Sequence, residues 1–568
     1  LRRLKLLDIL LFTVPGVPCV YYGDEAGMEG YADPFNRGTF PWGRENGQLQ
    51  YHVRMLSALR KEYPVLTEGA ARYGAPSTEV FHVERRSADS TAEIYVNRSA
   101  QTKRISMPGA GKQWLELLTG RTVQGEQLEL APCSGAILYR EGTEEGFSPL
   151  PAMAKRPQGK GILCPLFSLP GGKMGKAAYD FMEAIHGAGC RSWMLLPLCP
   201  AGDGDSPYSS RGIFAGDPRF IDPDTPVDMA GYEAFCRENS FWLEDYVLFT
   251  LLRRINGGAP WQSWPEDQRD RKNLEAVKRT YAEQLEELKK EQYAFFYQWS
   301  LIKKRAGELG ITLIGDLPIY AAVDGADVWA NREQFQLDEN GYPTLRAGCP
   351  PDYFTPEGQD WGNPLYDWEA MKRDGYRWWI RRVRRALTQF DFVRMDHFRG
   401  FAAYYAIPAG QTAKSGYWMK GPGVDLFRAL ARQLGRLPIL AEDLGALDSQ
   451  VTVLLRHTGL AGMHVWQFNA EEMAKMTPEE AARRVFFSGT HDNQTLRGFL
   501  EESGDDRSAK DILNALLESP AAAVILPVQD VLGLGDEARI NVPGVPTGNW
   551  KWSMTWEQLE QLKTGGIL

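Results

Sequence analysis

Short apolar runs that recur along the second part of the chain give the clearest structural pattern. They are GILCPLFSLPGG, CRSWMLLPLCP, ITLIGDLPIY, FDFVRMDHFRG, LPILAEDLG, GMHVWQF and RRVFFSGTHDN. Helical stretches separate several of these runs, notably a charged and amphipathic stretch at 266–309. Continuous apolar strands that alternate with helices predict an α/β fold with a parallel sheet, either closed on itself or doubly wound.

The stretch 70–141 has a different pattern, in which apolar and polar residues alternate over short runs. EVFHVERR, TAEIYVNRS and AILYRE are separated by Gly, Pro, Ser and Asp, which is typical of an antiparallel β-sandwich. Residues 142–160 are rich in Gly, Pro and charge without periodicity, so they are predicted to be a linker. The predicted organisation is an N-terminal segment at 1–69, a β-sandwich at 70–141, a linker at 142–160 and a large domain at 161–568.

Length, charge and hydropathy exclude several classes of protein. A chain of 568 residues with 43% apolar residues is too long for one ordinary domain. The net charge of -9 comes from mixed signs without a basic stripe, so nucleic acid is not an expected partner. No uninterrupted apolar run is long enough for a membrane span, and the opening segment lacks the pattern of a signal peptide. The sequence begins without Met, and Leu1 is expected to lie inside a helix already under way, as in a fragment.

Cysteine and histidine spacing gives no sign of a metal or disulfide framework. The seven cysteines are scattered and include no CxxC pair, which favours a reducing, cytoplasmic setting. The seven histidines show no HExxH or similar spacing. We therefore expect no cofactor and no metal. The sequence does not identify protein partners.

Four of the apolar runs end in a carboxylate. These residues are Asp316, Asp396, Glu442 and Asp492. A single carboxylate at the end of a strand is more often a helix cap or a turn residue than a catalyst. Four on successive strands indicate chemistry, because functional residues of parallel α/β folds lie at the carboxyl ends of the strands. No nucleophile elbow, phosphate loop or dinucleotide fingerprint competes with this interpretation.

Carboxylate pairs that cleave glycosidic bonds need one ionised group and one protonated group. Arg394 lies two positions before Asp396, and alternate residues of a strand point the same way, so Arg394 is expected to keep Asp396 ionised as a nucleophile. Glu442 follows the apolar run PILA and has no cation nearby in sequence, which favours a raised pKa and a role as general acid. Asp443 remains an alternative for the residue that points into the site.

From Gly161 onward the sequence resembles the 4-alpha-glucanotransferases, or amylomaltases, of glycoside hydrolase family 77. The matching stretches include SPYSS, FAGDPRFID, GDLPIYAAVDGADVWAN, CPPDYFTPEGQDWGNPLYDW, VRMDHFRGF, AEDLG, SGTHDNQT and LPVQDVLGLGDEARINVPGVPTGNW. The resemblance implies a modified (β/α)8 TIM barrel with insertions. It also implies transfer of alpha-1,4-glucan segments between maltooligosaccharides by a retaining double displacement.

The resemblance also assigns roles by motif. Asp396 is the expected nucleophile, Glu442 the general acid/base, and Asp492 the third carboxylate, which grips sugar hydroxyls. The expected substrate-binding residues are Tyr208, Asp316, Arg394, His397 and His491, together with Asp352, Tyr353, Phe354, Trp361, Asn363 and Pro364 of a lid and acceptor side. Such a lid would keep water from the glycosyl intermediate, whereas the same loop without the resemblance would be interpreted as a proline-stiffened surface loop. Apart from the resemblance, Arg399 is expected only to brace the turn.

The first 141 residues resemble a different family, the alpha-amylase family 13 enzymes of the neopullulanase kind. FTVPGVPCVYYGDEAGMEGYADPFNRGTFPW is similar to the last barrel segment of such enzymes, which a β-sandwich follows. Residues 1–69 are thus expected to be a barrel remnant without its catalytic carboxylates. Asp24, Glu25 and Asp33 are expected to be structural, and this half is expected to have no amylase activity.

The second part of the chain departs from family 77 in length. After FAGDPRFIDPDTPVDMAG, which contains Asp222 and ends at Gly231, the chain passes directly to YEAFCRENSFWLEDY, where members of the family carry several dozen more residues that help to build the cleft. Part of the donor-side wall is therefore expected to be missing, while the three carboxylate motifs are intact. The alternatives to a transferase are an alpha-glucan hydrolase with the same carboxylates and a noncatalytic glucan-binding protein.

Overall fold

The computed structural model describes residues 2–87, 90–107, 113–141, 156–271, 274–351, 356–445, 449–545 and 547–564. The chain divides into two compact units. One comprises Leu1–Pro151 with Asp448–His457, and the other Ala152–Leu447 with Thr458–Leu568. Within the described ranges, no helix combines the length and the apolar character that crossing a membrane requires.

The described residues of the first unit up to Glu141 form three α-helices and eight antiparallel strands. The helices are α1 (Arg2–Thr13), α2 (Gly47–Glu62) and α3 (Val65–Glu68). The strands are β1 (Ala70–Ser77), β2 (Val80–Arg86), β3 (Ser90–Asn97), β4 (Lys103–Ser106), β5 (Gln113–Glu116), β6 (Arg121–Gln124), β7 (Gln127–Leu130) and β8 (Ser134–Glu141). They form a sheet of order β1-β2-β3-β8-β5-β6 and a two-stranded sheet, β4-β7.

The central strand β3 of the six-stranded sheet is buried along its whole length, whereas the edge strands β1 and β6 are mostly exposed. On one face Tyr95 and Leu138 pack with Ile105 and Leu128 of the two-stranded sheet, which gives a sandwich. The other face packs against the three helices through a cluster that includes Leu6, Ile9, Phe12, Leu56, Val65, Val83, Ile94 and Ile137. Residues 2–68 thus share a core with the sheet, because apolar side chains alternate on both faces of β2 and β3.

The second unit is built around a closed barrel of eight parallel strands. In chain order they are β9 (Gly159–Leu163), β10 (Ser192–Met194), β11 (Thr312–Leu317), β14 (Phe392–Met395), β17 (Ile439–Ala441), β18 (Ala461–Val465), β19 (Arg484–Phe487) and β20 (Ala523–Pro527). Four further strands, β12 (Leu345–Cys349), β13 (Gln359–Pro364), β15 (Ala403–Pro408) and β16 (Tyr417–Lys420), form a separate sheet of order β13-β12-β15-β16. The prediction of a modified eight-stranded barrel is confirmed.

Helices follow the barrel strands in the chain, and one of them, at 449–458, lies almost entirely in the first compact unit. They are α4 (Lys176–Gly187), α5 (Tyr232–Ile255), α6 (Glu266–Arg269), α7 (Glu275–Thr280), α8 (Ala282–Glu308), α9 (Ala326–Ala330), α10 (Trp368–Arg373), α11 (Arg377–Gln389), α12 (Arg399–Ala402), α13 (Val424–Leu434), α14 (Ser449–Thr458), α15 (Trp466–Lys475), α16 (Pro478–Ala481), α17 (Leu496–Ser503), α18 (Ala509–Leu517), α19 (Val528–Val531) and α20 (Trp556–Thr564). Inward side chains such as Ile314, Phe392, Leu440, Met463 and Val485 fill the barrel, so the interior is a packed core.

The structure differs from the sequence prediction in the start of one strand and in the order of the strands that carry the carboxylates. β9 begins at Gly159, inside the predicted linker 142–160, because Gly159 and Lys160 pair with Ala523 and Val524 of β20. The four carboxylate strands are not all consecutive: β11, β14 and β17 are neighbours, but β18 separates β17 from β19. β18 ends in His464 and Val465 rather than in a carboxylate.

Candidate active site

Arg394 is the charged centre of the barrel mouth. Ile314 on β11 and Phe392 on β14 point into the core, so Asp316 and Arg394, two positions later, point the same way at the carboxyl end. Arg394 Nη1 donates to Asp316 Oδ1 and Oδ2 at 2.9 and 2.8 Å and to Asp396 Oδ1 at 3.0 Å. Asp316 and Arg394 are buried, whereas the Asp396 carboxylate is 22% exposed and accessible to a ligand.

Glu442 follows β17 and approaches the same guanidinium. Its Oε2 lies 3.9 Å from Arg394 Nη2, and its side chain is 11% exposed. Backbone amides of His397 and Leu444 donate to Oε2 at 2.7 Å and to Oε1 at 3.0 Å. Burial raises the pKa of Glu442 from 4.5 to about 8, against the lowering effect of Arg394. This is the direction predicted, although the neighbouring cation comes from β14 rather than from the local sequence.

The turn after the Asp396 strand brings the two carboxylates together. His397 has a φ of +44°, in the left-handed region, and this conformation helps to aim its amide at Glu442. The Glu442 amide donates to Met395 O and the Phe398 amide donates to Glu442 O, each at 3.0 Å. Burial lowers the pKa of the His397 imidazole to about 4, so the ring is neutral at pH 7 and can exchange hydrogen bonds with hydroxyl groups.

The structure also shows which of the two adjacent acidic residues faces the site. Asp443 points away from Arg394, and its carboxylate pairs with Arg484 of β19 and accepts from the Met463 amide of β18. Glu442 occupies the mouth. The alternative in which Asp443 points into the site is therefore excluded by geometry.

Tyr208 connects Asp316 to His491. Its hydroxyl donates to Asp316 Oδ2 at 2.6 Å and lies 2.8 Å from His491 Nε2. Because the single hydroxyl proton goes to Asp316, His491 Nε2–H donates to the tyrosine oxygen. The two rings stack, with centroids 5.2 Å apart and planes inclined by 15°. Burial raises the pKa of Tyr208 well above 10, and the nearby carboxylates act in the same direction, so the hydroxyl stays protonated.

Asp492 is the most exposed of the predicted catalytic carboxylates, with 47% of its side chain accessible. Asn541 Nδ2 donates to its Oδ1 at 2.6 Å, and Arg539 donates to its carbonyl oxygen at 2.9 Å. His491 Nε2 lies 3.4 Å from the other carboxylate oxygen. Asp492 is thus held on one side while its second oxygen remains available to a ligand.

The small sheet contributes one aromatic residue, Trp361, next to His397. The Trp361 ring on β13 meets the His397 ring edge-on at 5.0 Å, and Asn363 donates to Ala321 O at 3.0 Å. Pro364 ends the strand and is buried. Three predicted lid residues, Asp352, Tyr353 and Phe354, lie outside the described residues.

Three site features were not identified from sequence. Trp550 lies 5.8 Å from the Tyr208 ring and 5.9 Å from the His491 ring, and the motif PTGNW was the only signal that could have indicated it. Asn541, in RINVPG, belongs to the same matching stretch, but its contact with Asp492 depends on folding. Arg399 contacts more than the turn, since its guanidinium lies 4.0 Å from the centre of the exposed Trp418 ring on β16.

Cation sites are not apparent around this cluster. No group of three or more His, Cys, Asp or Glu side chains in the described ranges is arranged to hold a metal ion. Arg394 is the cation around which the carboxylates of the site are arranged.

The second unit matches a known protein family over most of its length. The family model described as 4-alpha-glucanotransferase matches residues 164–230 and 224–559. The chain is 39% identical over 474 aligned positions to the 4-alpha-glucanotransferase of Thermus thermophilus, covering 70% of this chain and 95% of that protein. It is 37% identical over 481 positions to the 4-alpha-glucanotransferase of Streptococcus pneumoniae serotype 4, covering 72% and 95%.

These matches also reveal a difference in length. The 474 aligned positions occupy only 70% of a chain of 568 residues, so the Thermus protein has residues within this stretch that the present chain lacks. The two matched segments of the family model meet at 224–230. This junction indicates that part of the difference falls shortly after Asp222.

A solved structure agrees with the sequence matches. An amylomaltase from Streptococcus agalactiae, determined in complex with acarbose, superposes with a TM-score of 0.67 at 29% identity, covering 72% of this chain and 98% of that chain. The carboxylate cluster lies within the matched region. The chain belongs to the 4-alpha-glucanotransferase family, glycoside hydrolase family 77.

Proposed function

We propose that this protein transfers alpha-1,4-glucan segments between maltooligosaccharides, with Asp396 as nucleophile and Glu442 as general acid/base. The observation that carries the proposal is the different environment of these two carboxylates around one guanidinium. Asp396 accepts a 3.0 Å bond from Arg394 and is partly exposed, while burial raises the pKa of Glu442 to about 8. One carboxylate is thus suited to attack, and the other to donate a proton.

In the first step Glu442 protonates the glycosidic oxygen while an Asp396 oxygen attacks the anomeric carbon. The bond to the leaving glucan breaks, the leaving glucan departs with the Glu442 proton, and the remaining segment is held as an ester on Asp396. Arg394 also contacts Asp316, so its position does not depend on the charge that Asp396 loses.

In the second step the ionised Glu442 accepts the proton of an acceptor 4-hydroxyl. The hydroxyl oxygen attacks the anomeric carbon and the Asp396 carboxylate leaves, which restores both groups and retains the configuration. Water could capture the same ester, so a hydrolase differs only in the acceptor. Family membership and the Trp361 ring next to His397 support a sugar acceptor.

We assign the binding of the sugar whose glycosidic bond is cleaved to Asp492, His491 and Tyr208. Asp492 keeps one oxygen free of Asn541, and His491 and Tyr208 share a hydrogen bond beside it. Hydrogen bonds from sugar hydroxyls to a carboxylate strengthen as positive charge develops on the ring, which favours the transition state.

Tyr208→Phe tests this connection. The change removes the donor to Asp316 and the acceptor for His491 but leaves the stacked ring. We expect kcat/KM for maltotriose disproportionation to fall by about 10- to 100-fold, because hydrogen bonds to charged groups contribute about 1.5–3 kcal/mol. The thermal unfolding midpoint serves as the control. A loss of less than about twofold in kcat/KM would show that the hydroxyl has no part in the reaction.

The pH dependence follows from Glu442. Its acid function requires the protonated form, and its pKa is raised from 4.5 to about 8. The proton donor is therefore present below about pH 8 and is lost as the pH rises through that value. We expect the alkaline limb of kcat/KM to lie near pH 8. An alkaline limb centred near pH 4.5, the ordinary pKa of a glutamate, would contradict the assignment.

Product analysis with maltotriose tests the proposed activity itself. A transferase produces glucose together with a ladder of longer maltooligosaccharides, because each glucan segment passes to another sugar. A hydrolase gives glucose and maltose without the ladder, and a noncatalytic binding protein gives neither product. Asp396→Asn is the matched control, since it preserves size and fold but removes the attacking carboxylate.

We also propose a reducing, cytoplasmic compartment for the reaction. None of the seven cysteines, all of which are among the described residues, forms a disulfide, and Cys164 and Cys190 are buried within the second unit. Burial raises the pKa of both thiols, which disfavours their reactive thiolate forms.

A further inference from the structure

A second charged contact lies directly behind the proposed acid/base. Asp443 is adjacent to Glu442 in the chain, and its side chain is fully buried. Its carboxylate pairs with Arg484 at the start of β19, and its Oδ1 accepts from the Met463 amide of β18 at 2.7 Å. Asp443 therefore ties the segment after β17 to the next two barrel strands.

The space for this contact comes from a glycine. Ala441, Gly462 and Arg484 are at one level of the barrel, since Ala441 pairs with Gly462 and Gly462 pairs with Arg484. Ala461 and Met463 point into the core, so position 462 points outward beneath the ion pair. A Cβ on Gly462 would lie 2.5 and 2.6 Å from the two Asp443 oxygens and would also overlap Arg484 Nη1.

We propose that the Asp443–Arg484 pair over Gly462 positions Glu442 for proton transfer. Adjacent residues of an extended segment point in opposite directions, so fixing Asp443 outward turns Glu442 inward. The Leu444 amide, which donates to Glu442 Oε1, belongs to the same fixed segment. Asp443 and Arg484 face away from the barrel mouth and act through the backbone rather than on the substrate. This inference rests on the proposed role of Glu442.

The surrounding charges define the expected pH effect. Glu442 faces Arg394 and Asp396 from β14, while Asp443 faces Arg484 from β19 and His464 from β18. Loosening the segment would admit water to Glu442 and reduce the effect of burial, which is what raises its pKa. In Asp443→Asn the charge of Arg484 would no longer be balanced by Asp443, and this positive charge would also lower the pKa of Glu442. The alkaline limb of kcat should therefore move to lower pH.

The test begins with wild-type transfer on maltotriose, because failure there would reject the proposed function and not this inference. With an active wild type, Asp443→Asn should lower kcat by about 10- to 100-fold and leave KM within about twofold. Its alkaline limb should move by about half a pH unit or more to lower pH. Gly462→Ala should give the same pattern without removing a charge. Arg484→Lys, which retains the charge, should lie between wild type and Asp443→Asn.

Asp324→Asn is the matched control. Asp324 likewise pairs with an arginine, Arg253, and accepts from a backbone amide, that of Trp261 at 3.2 Å. It should lower the unfolding midpoint while leaving the pH profile of kcat unchanged. The inference would be overturned if the alkaline limb of Asp443→Asn lay at the same pH as that of wild type. It would also be overturned if the alkaline limb of Asp324→Asn moved as far as that of Asp443→Asn. If Asp443→Asn does not fold, Arg484→Lys and Gly462→Ala decide, and wild-type kcat and pH profile in both would overturn it.

Discussion

Replacing Asp396 with Asn is expected to reduce kcat for glucan transfer by about 10⁴-fold or more. The amide is a poor nucleophile, so the glycosyl ester cannot form, whereas its oxygen can still accept the 3.0 Å bond from Arg394. The measurement is maltooligosaccharide production from maltotriose at substrate saturation, compared with wild type at equal concentration of folded protein.

Two controls make the Asp396 result specific. Retention of the variant on immobilised amylose should match wild type, because glucan binding also involves residues that are unchanged. Asp396→Gly supplied with azide should form a glycosyl azide, since the small anion can attack the anomeric carbon where the carboxylate is missing. Wild-type kcat in Asp396→Asn would reject Asp396 as the nucleophile.

Replacing Glu442 with Gln is expected to lower kcat on maltotriose by about 10²- to 10⁴-fold, the usual range for loss of a general acid/base. Gln preserves the size of the side chain and an acceptor for the His397 or Leu444 amide. It cannot donate a carboxyl proton to the leaving oxygen. The alkaline limb near pH 8 should disappear with the carboxyl group.

The leaving group distinguishes proton donation from a structural effect. α-Maltosyl fluoride needs no protonation to release fluoride, so its first turnover by Glu442→Gln should remain within about 10-fold of wild type. An equal loss on maltotriose and on the fluoride would show that Glu442 supports the fold of the site instead of supplying a proton.

Much of this site could be anticipated because its residues sit at the ends of recognisable strands. VRMDH and AEDLG place Asp396 and Glu442 directly after apolar runs, and the carboxyl ends of parallel strands face the same opening. The i, i+2 relation of Arg394 to Asp396 also followed from strand geometry, and the structure has the two side chains 3.0 Å apart. Local pattern is sufficient where the contact is within one strand.

Contacts between strands could not be anticipated in the same way. Arg394 binds Asp316, 78 positions away, and Asn541 binds Asp492 across 49 positions, so both pairs depend on closure of the barrel. The choice between Glu442 and Asp443 depended on Arg484, whose reach across Gly462 has no signature in sequence. The run GMHVWQF did predict the strand β18 between β17 and β19, but this strand carries no carboxylate at its end, so the four carboxylate strands are not successive.

The most direct test of the proposed mechanism is to trap the glycosyl ester. Glu442→Gln treated with α-maltosyl fluoride should form the ester and accumulate it, because the base that activates the acceptor is missing. Mass spectrometry of the intact chain and of its peptides is predicted to show one maltosyl group per chain, attached to Asp396. Fluoride release without any adduct, or an adduct on a residue other than Asp396, would contradict the mechanism.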